Sequence, residues 1–260
     1  MKSKILFSAI ACSALALQAQ DLGTIEIVEE VNTKLVNNIN TQEVKNADLA
    51  EALAKKSPSI SLIRRSGIAN DIILRGQKRD NIKVTVDDAV VHGACPNRMD
   101  PPTSHVITNM VESVEIKEGP FDVTEFGNLS GGVKVNTIKP TKELSGEIGA
   151  TVGSYGYKKG SVTVSGGNDT VQALVSYSKE ESDQYKDGDG NTLAQQTDKS
   201  KDEPTKYAPP YKDMKAYEKE ALMAKLNVNI ADNHTLEASA TANRSDNILY
   251  PSTGMDAIYD

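Results

Sequence analysis

The chain has 260 residues, enough for one or two cores, with 38% hydrophobic residues, 5% aromatic residues and no Trp. Its formal net charge of -7 excludes the basic footprint by which proteins hold nucleic acid. Beyond the N-terminus no apolar run reaches the roughly 18 residues of a transmembrane helix, so none is predicted.

The N-terminus reads as a leader. Lys2 and Lys4 precede an apolar stretch from Ile5 to Leu17, which is too short to span a bilayer. Ala19 offers a small residue for cleavage, so residues 1–19 are read as a signal peptide and the mature protein as exported. Export makes Cys95 unusual. Once Cys12 leaves with the leader, Cys95 has no partner within the chain. A buried small hydrophobe is one reading of such a thiol. A soft metal donor is the other.

Residues 20–45 are polar, with one alternating run, Thr24, Ile25, Glu26, Ile27 and Val28. A solitary strand there suits pairing with the sheet edge of a partner. Residues 46–139 read as a small α+β unit. A helix is expected from Asn46 to Lys56, capped by Asn46 or Asp48 and stopped at Ser57-Pro58. Short strands are expected at Ile60–Ile63, Asp71–Leu74, Ile82–Val86, Val111–Ile116 and Val133–Ile138.

Between the third and fourth of these strands lies His92-Gly-Ala-Cys95-Pro-Asn-Arg-Met99-Asp-Pro-Pro-Thr-Ser-His105. Thiolate and thioether are soft donors and select Cu(I) over Mg or Ca. Their four-residue spacing predicts two side chains on one face of a helical turn, begun at Pro96 and ended by Pro101-Pro102. Two sulfurs hold a metal ion weakly, so a further donor is needed. His92 and His105 are the candidates, and each is also readable as an ordinary surface or hydrogen-bonded histidine.

After Pro140 the pattern changes. Glu147–Val152, Ser161–Ser165, Val171–Ser178, Leu222–Ile230 and Thr235–Asn243 alternate strictly, one face apolar and one polar. That is the signature of transmembrane β-barrel strands. Tight connections near 166–169 and 231–233 alternate with a long charged one, 179–216, as in an outer-membrane meander. Asp187-Gly-Asp189-Gly-Asn191 suggests a calcium loop, but Thr192 stands where an EF-hand needs Gly, so it reads as a solvated loop. A barrel around a plug needs about 22 strands. Residues 140–260 are therefore expected to be roughly the first five strands of a barrel completed elsewhere.

Several stretches resemble the plug of TonB-dependent outer-membrane receptors. They are Ile73-Leu74-Arg75-Gly76, Val86-Asp87-Asp88-Ala89-Val90, Val114 to Pro120 (with Glu118 in place of the usual Arg), and Phe126-Gly127 followed by Gly131-Gly132-Val133. The resemblance implies an α+β plug domain followed by strands of an antiparallel transmembrane β-barrel in the outer membrane. It implies no enzyme activity. It also makes Thr24 to Val28 a TonB box, with TonB and outer-membrane lipid as partners. Gly93 to Ser104 resembles the plug motif of copper receptors of the OprC/NosA type. That likeness implies copper as the transported ligand, bound by Cys95 and Met99, with a His-x-Met element from the barrel completing the site. No His-x-Met occurs in this chain. A siderophore receptor of the same architecture, or an exported metal-binding or adhesive protein without transport, remains the alternative.

Overall fold

The computed structural model describes residues 33–37, 48–119, 130–198, 207, 209–231 and 233–250. The leader, the Thr24–Val28 run and most of the glycine turn before Ser130 lie outside them. Two compact units are distinguished, Met1–Lys34 and Leu35–Asp260. Apart from the first strand, which straddles the boundary, every described element lies wholly in the second unit.

The helix α1 spans Leu49–Lys56. Asp48 is its cap, and its carboxylate accepts the N–H of Ala50 at 3.0 Å. At the other end the N–H of Ser57 reaches the carbonyl of Leu53. Alternating β-branched residues make the strands around it. The strand β1 (Thr33–Asn37) was not expected from the sequence pattern; β2 (Ile60–Ile63) and β3 (Asp71–Leu74) fall where expected. Further on come β4 (Gln77–Lys78), β5 (Ile82–Val86), β6 (Ala89–Val90), β7 (Val111–Glu118) and β8 (Gly131–Thr137).

These strands form two sheets. One has the order β1-β7-β8-β5-β6, and the other is a three-stranded β2-β3-β4 meander. Strands β5 and β8 run parallel, pairing Ile82 with Gly131, whereas β7 and β8 run antiparallel. Gly131 is required here: its φ is +140°, and a Cβ would lie 2.2 Å from the carbonyl oxygen of Lys117. Leu49 and Leu53 of α1 share one core with Ile72, Leu74, Val114 and Ile116. The helix thus seals both sheets.

The second half is a five-stranded antiparallel meander, β9 (Ser145–Val152), β10 (Lys158–Gly167), β11 (Val171–Ser182), β12 (Tyr217–Ala231) and β13 (His234–Asp246). All five sequence-derived strands are present and longer than expected. The sheet is an open wall, edged by β9 and β13, and no closed barrel forms among the described residues. Its apolar face looks outward: Val164, Val175 and Leu222 are half exposed. Over β10–β12 its inward face is buried, with Ser176 and Ser178 fully enclosed beside Leu174 and Met223, while β13 is exposed throughout. A short helix α2 (Leu193–Asp198) lies in the long connection between β11 and β12. No helix among the described residues is long and apolar enough to cross a membrane, which leaves crossing by strands untouched.

Candidate metal centre

The loop from 91 to 101 leaves the β5–β6 hairpin and returns into a 3-10 turn, Pro102–His105, ahead of β7. The expected helical turn is absent. Cys95 and Arg98 instead close a β-turn, with the Arg98 N–H 2.8 Å from the Cys95 carbonyl and Pro96 at the second position. Two features stop a helix from continuing. Arg98 adopts a left-handed φ of +59°. The N–H groups of Ala94 and Cys95 are turned toward Asp100, whose two carboxylate oxygens accept them at 2.6 and 2.8 Å. Cys95 and Met99 therefore flank a turn rather than share a helical face. Pro102 likewise opens a short 3-10 turn instead of ending a helix. At Gly93 a Cβ would lie 2.4 Å from the Asp100 carbonyl oxygen, so the loop closes only with glycine there.

The loop is tied down by residues far away in sequence. The guanidinium of Arg98 forks onto Asp71 at the start of β3, with Nε to Oδ2 at 3.1 Å and Nη2 to Oδ1 at 3.2 Å. Tyr250, just beyond β13, donates its hydroxyl to the Met99 carbonyl at 2.7 Å. Burial, with Asp100 and Cys95 nearby, raises the Tyr250 phenol to about 12 and keeps it a donor at neutral pH. Tyr250 also fixes which end of the wall this is. The N–H of Leu249 meets the carbonyl of Ala216, so the loop lies at the end of the long connection and away from the two tight turns.

Cys95 is a free, half-buried thiol, and Met99 is half-buried. His105 lies close: its Nε2 is 4.0 Å from Asp100 Oδ2. That nitrogen is buried and has no hydrogen-bond partner among the described residues. Burial depresses the His105 pKa, against the pull of Asp100, so the ring is neutral at pH 7 and able to ligate. His92 is placed differently. It is exposed and lines a neighbouring cavity of about 400 Å3 with Lys83, Gly93 and Arg98. Among the described residues, no group of three or more His, Cys, Asp or Glu forms a metal-binding cluster. The loop thus carries a thiol and a thioether four residues apart, with the His105 ring beside Asp100, and sulfur donors of this kind suit a soft ion better than a hard one. In the Asp187 loop the carboxylate accepts the N–H groups of Asp189 and Asn191, the local turn chemistry of a surface loop.

Sequence reasoning missed Asp71, Arg98, Asp100 and Tyr250. The wall strands also grip the segment after the loop. Lys219 of β12, fully buried, donates to the Ser104 carbonyl, and Asn243 of β13 donates to the His105 carbonyl at 2.7 Å. Lys159 of β10 donates to Thr108 Oγ1 at 3.3 Å and sits 3.8 Å from the buried Glu180. Lys225 of β12 pairs with Asp87 in the β5–β6 turn at 2.8 Å.

Comparison with known proteins places this arrangement. Residues 29–133 match the family model "TonB-dependent Receptor Plug Domain". No curated protein sequence matches the chain significantly. Among solved structures, "Copper transporter OprC" superposes with a TM-score of 0.68 at 23% identity, covering 82% of this chain and 31% of that one. The siderophore receptor PirA from Acinetobacter baumannii gives 0.62 at 14% identity, covering 89% and 34%. The ferric enterobactin receptor PfeA from Pseudomonas aeruginosa gives 0.61 at 16% identity, covering 86% and 34%. The chain thus spans about a third of the receptors it resembles, and at these identities the likeness is one of fold. The matched family is one of receptors rather than enzymes. Residues 29–133 thus match a TonB-dependent receptor plug domain, and the antiparallel strands that follow share their fold with part of such receptors, with no closed barrel among the described residues.

Proposed function

We propose that the receptor containing this chain imports copper across the outer membrane, with Cys95 and Met99 as the capturing donors and His105 as a further donor. The observation that carries this reading is the fixed turn holding a free thiol and a thioether, tied at Asp71, Asp100 and Tyr250. Its place at the long-connection end supports capture from outside, since outer-membrane barrels keep long loops outward and short turns inward. The outward apolar row of β12, Leu222 to Ile230, runs roughly 27 Å along the strand, enough for most of a tilted lipid-facing band. On this reading residues 1–19 are removed on export and Thr24 to Val28 pair with TonB. Residues 46–139 form the plug, and 140–260 begin the wall.

Capture by two soft sulfurs needs no redox step by the protein. Release requires that the turn be disturbed, which pulling on the plug from the periplasmic side would do. The test is uptake. Cells relying on the intact receptor under copper limitation should accumulate copper, and Cys95→Ala with Met99→Ala should lose that accumulation. Undiminished uptake in the double variant contradicts the assignment.

A second reading has its own support, because the same fold is shared with siderophore receptors. It predicts growth dependence on the receptor under iron limitation instead, indifferent to Cys95.

A further inference from the structure

We infer that Arg98 is the positioning residue of the Cys95–Met99 pair, acting through Asp71; this rests on the copper reading above. Arg98 lies between the two sulfur residues, three places after one and next to the other. Whatever fixes its backbone fixes both. Its φ of +59° is one that a bulky side chain avoids unless its surroundings impose it.

The imposition is visible. Its side chain is 13% exposed and that of Asp71 only 2%, so the two-bond fork is shielded from water. A bidentate guanidinium–carboxylate pair fixes direction as well as distance, which a lysine cannot do. A third contact, Nη1 to Asp80 at 3.5 Å, lies on the exposed side. Asp71 opens β3, whose register with β2 is set by four consecutive pairs from Ile60–Leu74 to Ile63–Asp71. The fork therefore transfers the rigidity of the plug sheet to the metal-capture turn. The loop is held in shape before a metal ion arrives, and less ordering remains to be done on binding.

The test uses the intact receptor with Arg98→Gly, which relieves the backbone strain but removes the fork. Arg98→Lys keeps the charge without the fork geometry. Two readouts are expected. Alkylation of Cys95 by a maleimide in metal-free receptor should quicken by about tenfold or more, since a loosened turn exposes the thiol more often. The copper concentration for half-maximal uptake should rise by about tenfold, with the maximal rate unchanged. A merely structural role would lower the maximal rate, by reducing folded receptor, and leave the half-saturation point in place. Asp71→Asn should reproduce the effect, and Arg98→Ala with Asp71→Asn should be no worse than either alone, because the pair acts as a unit. Unchanged alkylation in Arg98→Gly overturns the inference whatever the cargo is. Quicker alkylation with no copper uptake even in the parent receptor sinks the copper reading instead, and the pairing role goes with it.

Discussion

In the plug, Leu49, Leu53, Leu74, Val114 and Ile116 are shut away from solvent. In the β9–β13 wall, Ser176, Ser178, Glu180 and Lys219 are shut away, while Val164, Val175 and Leu222 stand outside. One chain thus follows two opposite rules of burial. The plug obeys the water rule, in which apolar area is hidden. The wall turns its inward face to the plug and leaves an apolar face exposed, the pattern of a lipid-facing barrel strand. The contrast explains how the plug is seated. A dry apolar joint would lock plug and wall together. Here the joint is mixed: lysines reach plug carbonyls, hydroxyls and carboxylates, beside small apolar clusters in which Ile107 and Met110 meet Leu174 and Met223, and Ile68 meets Tyr217.

The largest effect that would break this contrast is at the joint. Lys219→Ala leaves Glu180 beside Lys159 alone and frees the Ser104 carbonyl, and should cost about 3–5 kcal/mol in seating the plug. Hydrogen exchange of the backbone at 103–110 in the intact receptor reads this directly; unaltered protection would mean that the joint is held elsewhere. Next is the outer face. Leu226→Lys, near the middle of the β12 apolar row, should cost about 2–4 kcal/mol in folding into lipid vesicles. If water faced the wall, the same change would be neutral. A third effect, of similar size but spread over a pH range, sharpens the plug side. Burial lifts the Asp48 carboxyl from 3.8 to about 6. A carboxyl raised on folding costs stability that is felt above its folded pKa and relieved below its unfolded one. Stability should therefore fall between about pH 4 and pH 6, by roughly 3 kcal/mol in total. Asp48→Asn keeps a good cap and should flatten that slope, as followed by exchange of the α1 amides. A slope that persists assigns it to another group.

The periodic parts of this molecule were legible in its sequence, and the parts made by distant contacts were not. The wall strands were found because alternation survives wherever one face is buried. Their ends were missed where charge replaces apolar residues: β12 begins at Tyr217, but Glu218, Lys219 and Glu220 hide the pattern. The first strand, Thr33–Asn37, escaped notice because Val36 alone is buried. At the site, the sequence supplied a thiol and a thioether four residues apart, but the helical turn drawn through them was wrong. The turn is shaped by Asp100 on Ala94 and Cys95, by Asp71 on Arg98 and by Tyr250 on Met99. The partners of the last two lie 27 and 151 positions away, beyond the reach of any local pattern.

The central claim is that the two sulfurs at Cys95 and Met99 hold the cargo. X-ray absorption at the copper edge of the purified intact receptor, loaded with Cu(I), tests it most directly. The account predicts at least two sulfur neighbours in the parent protein, one fewer in Met99→Ala, and no bound copper in Cys95→Ala with Met99→Ala. A copper shell of nitrogen and oxygen alone, unaltered in the double variant, would contradict it.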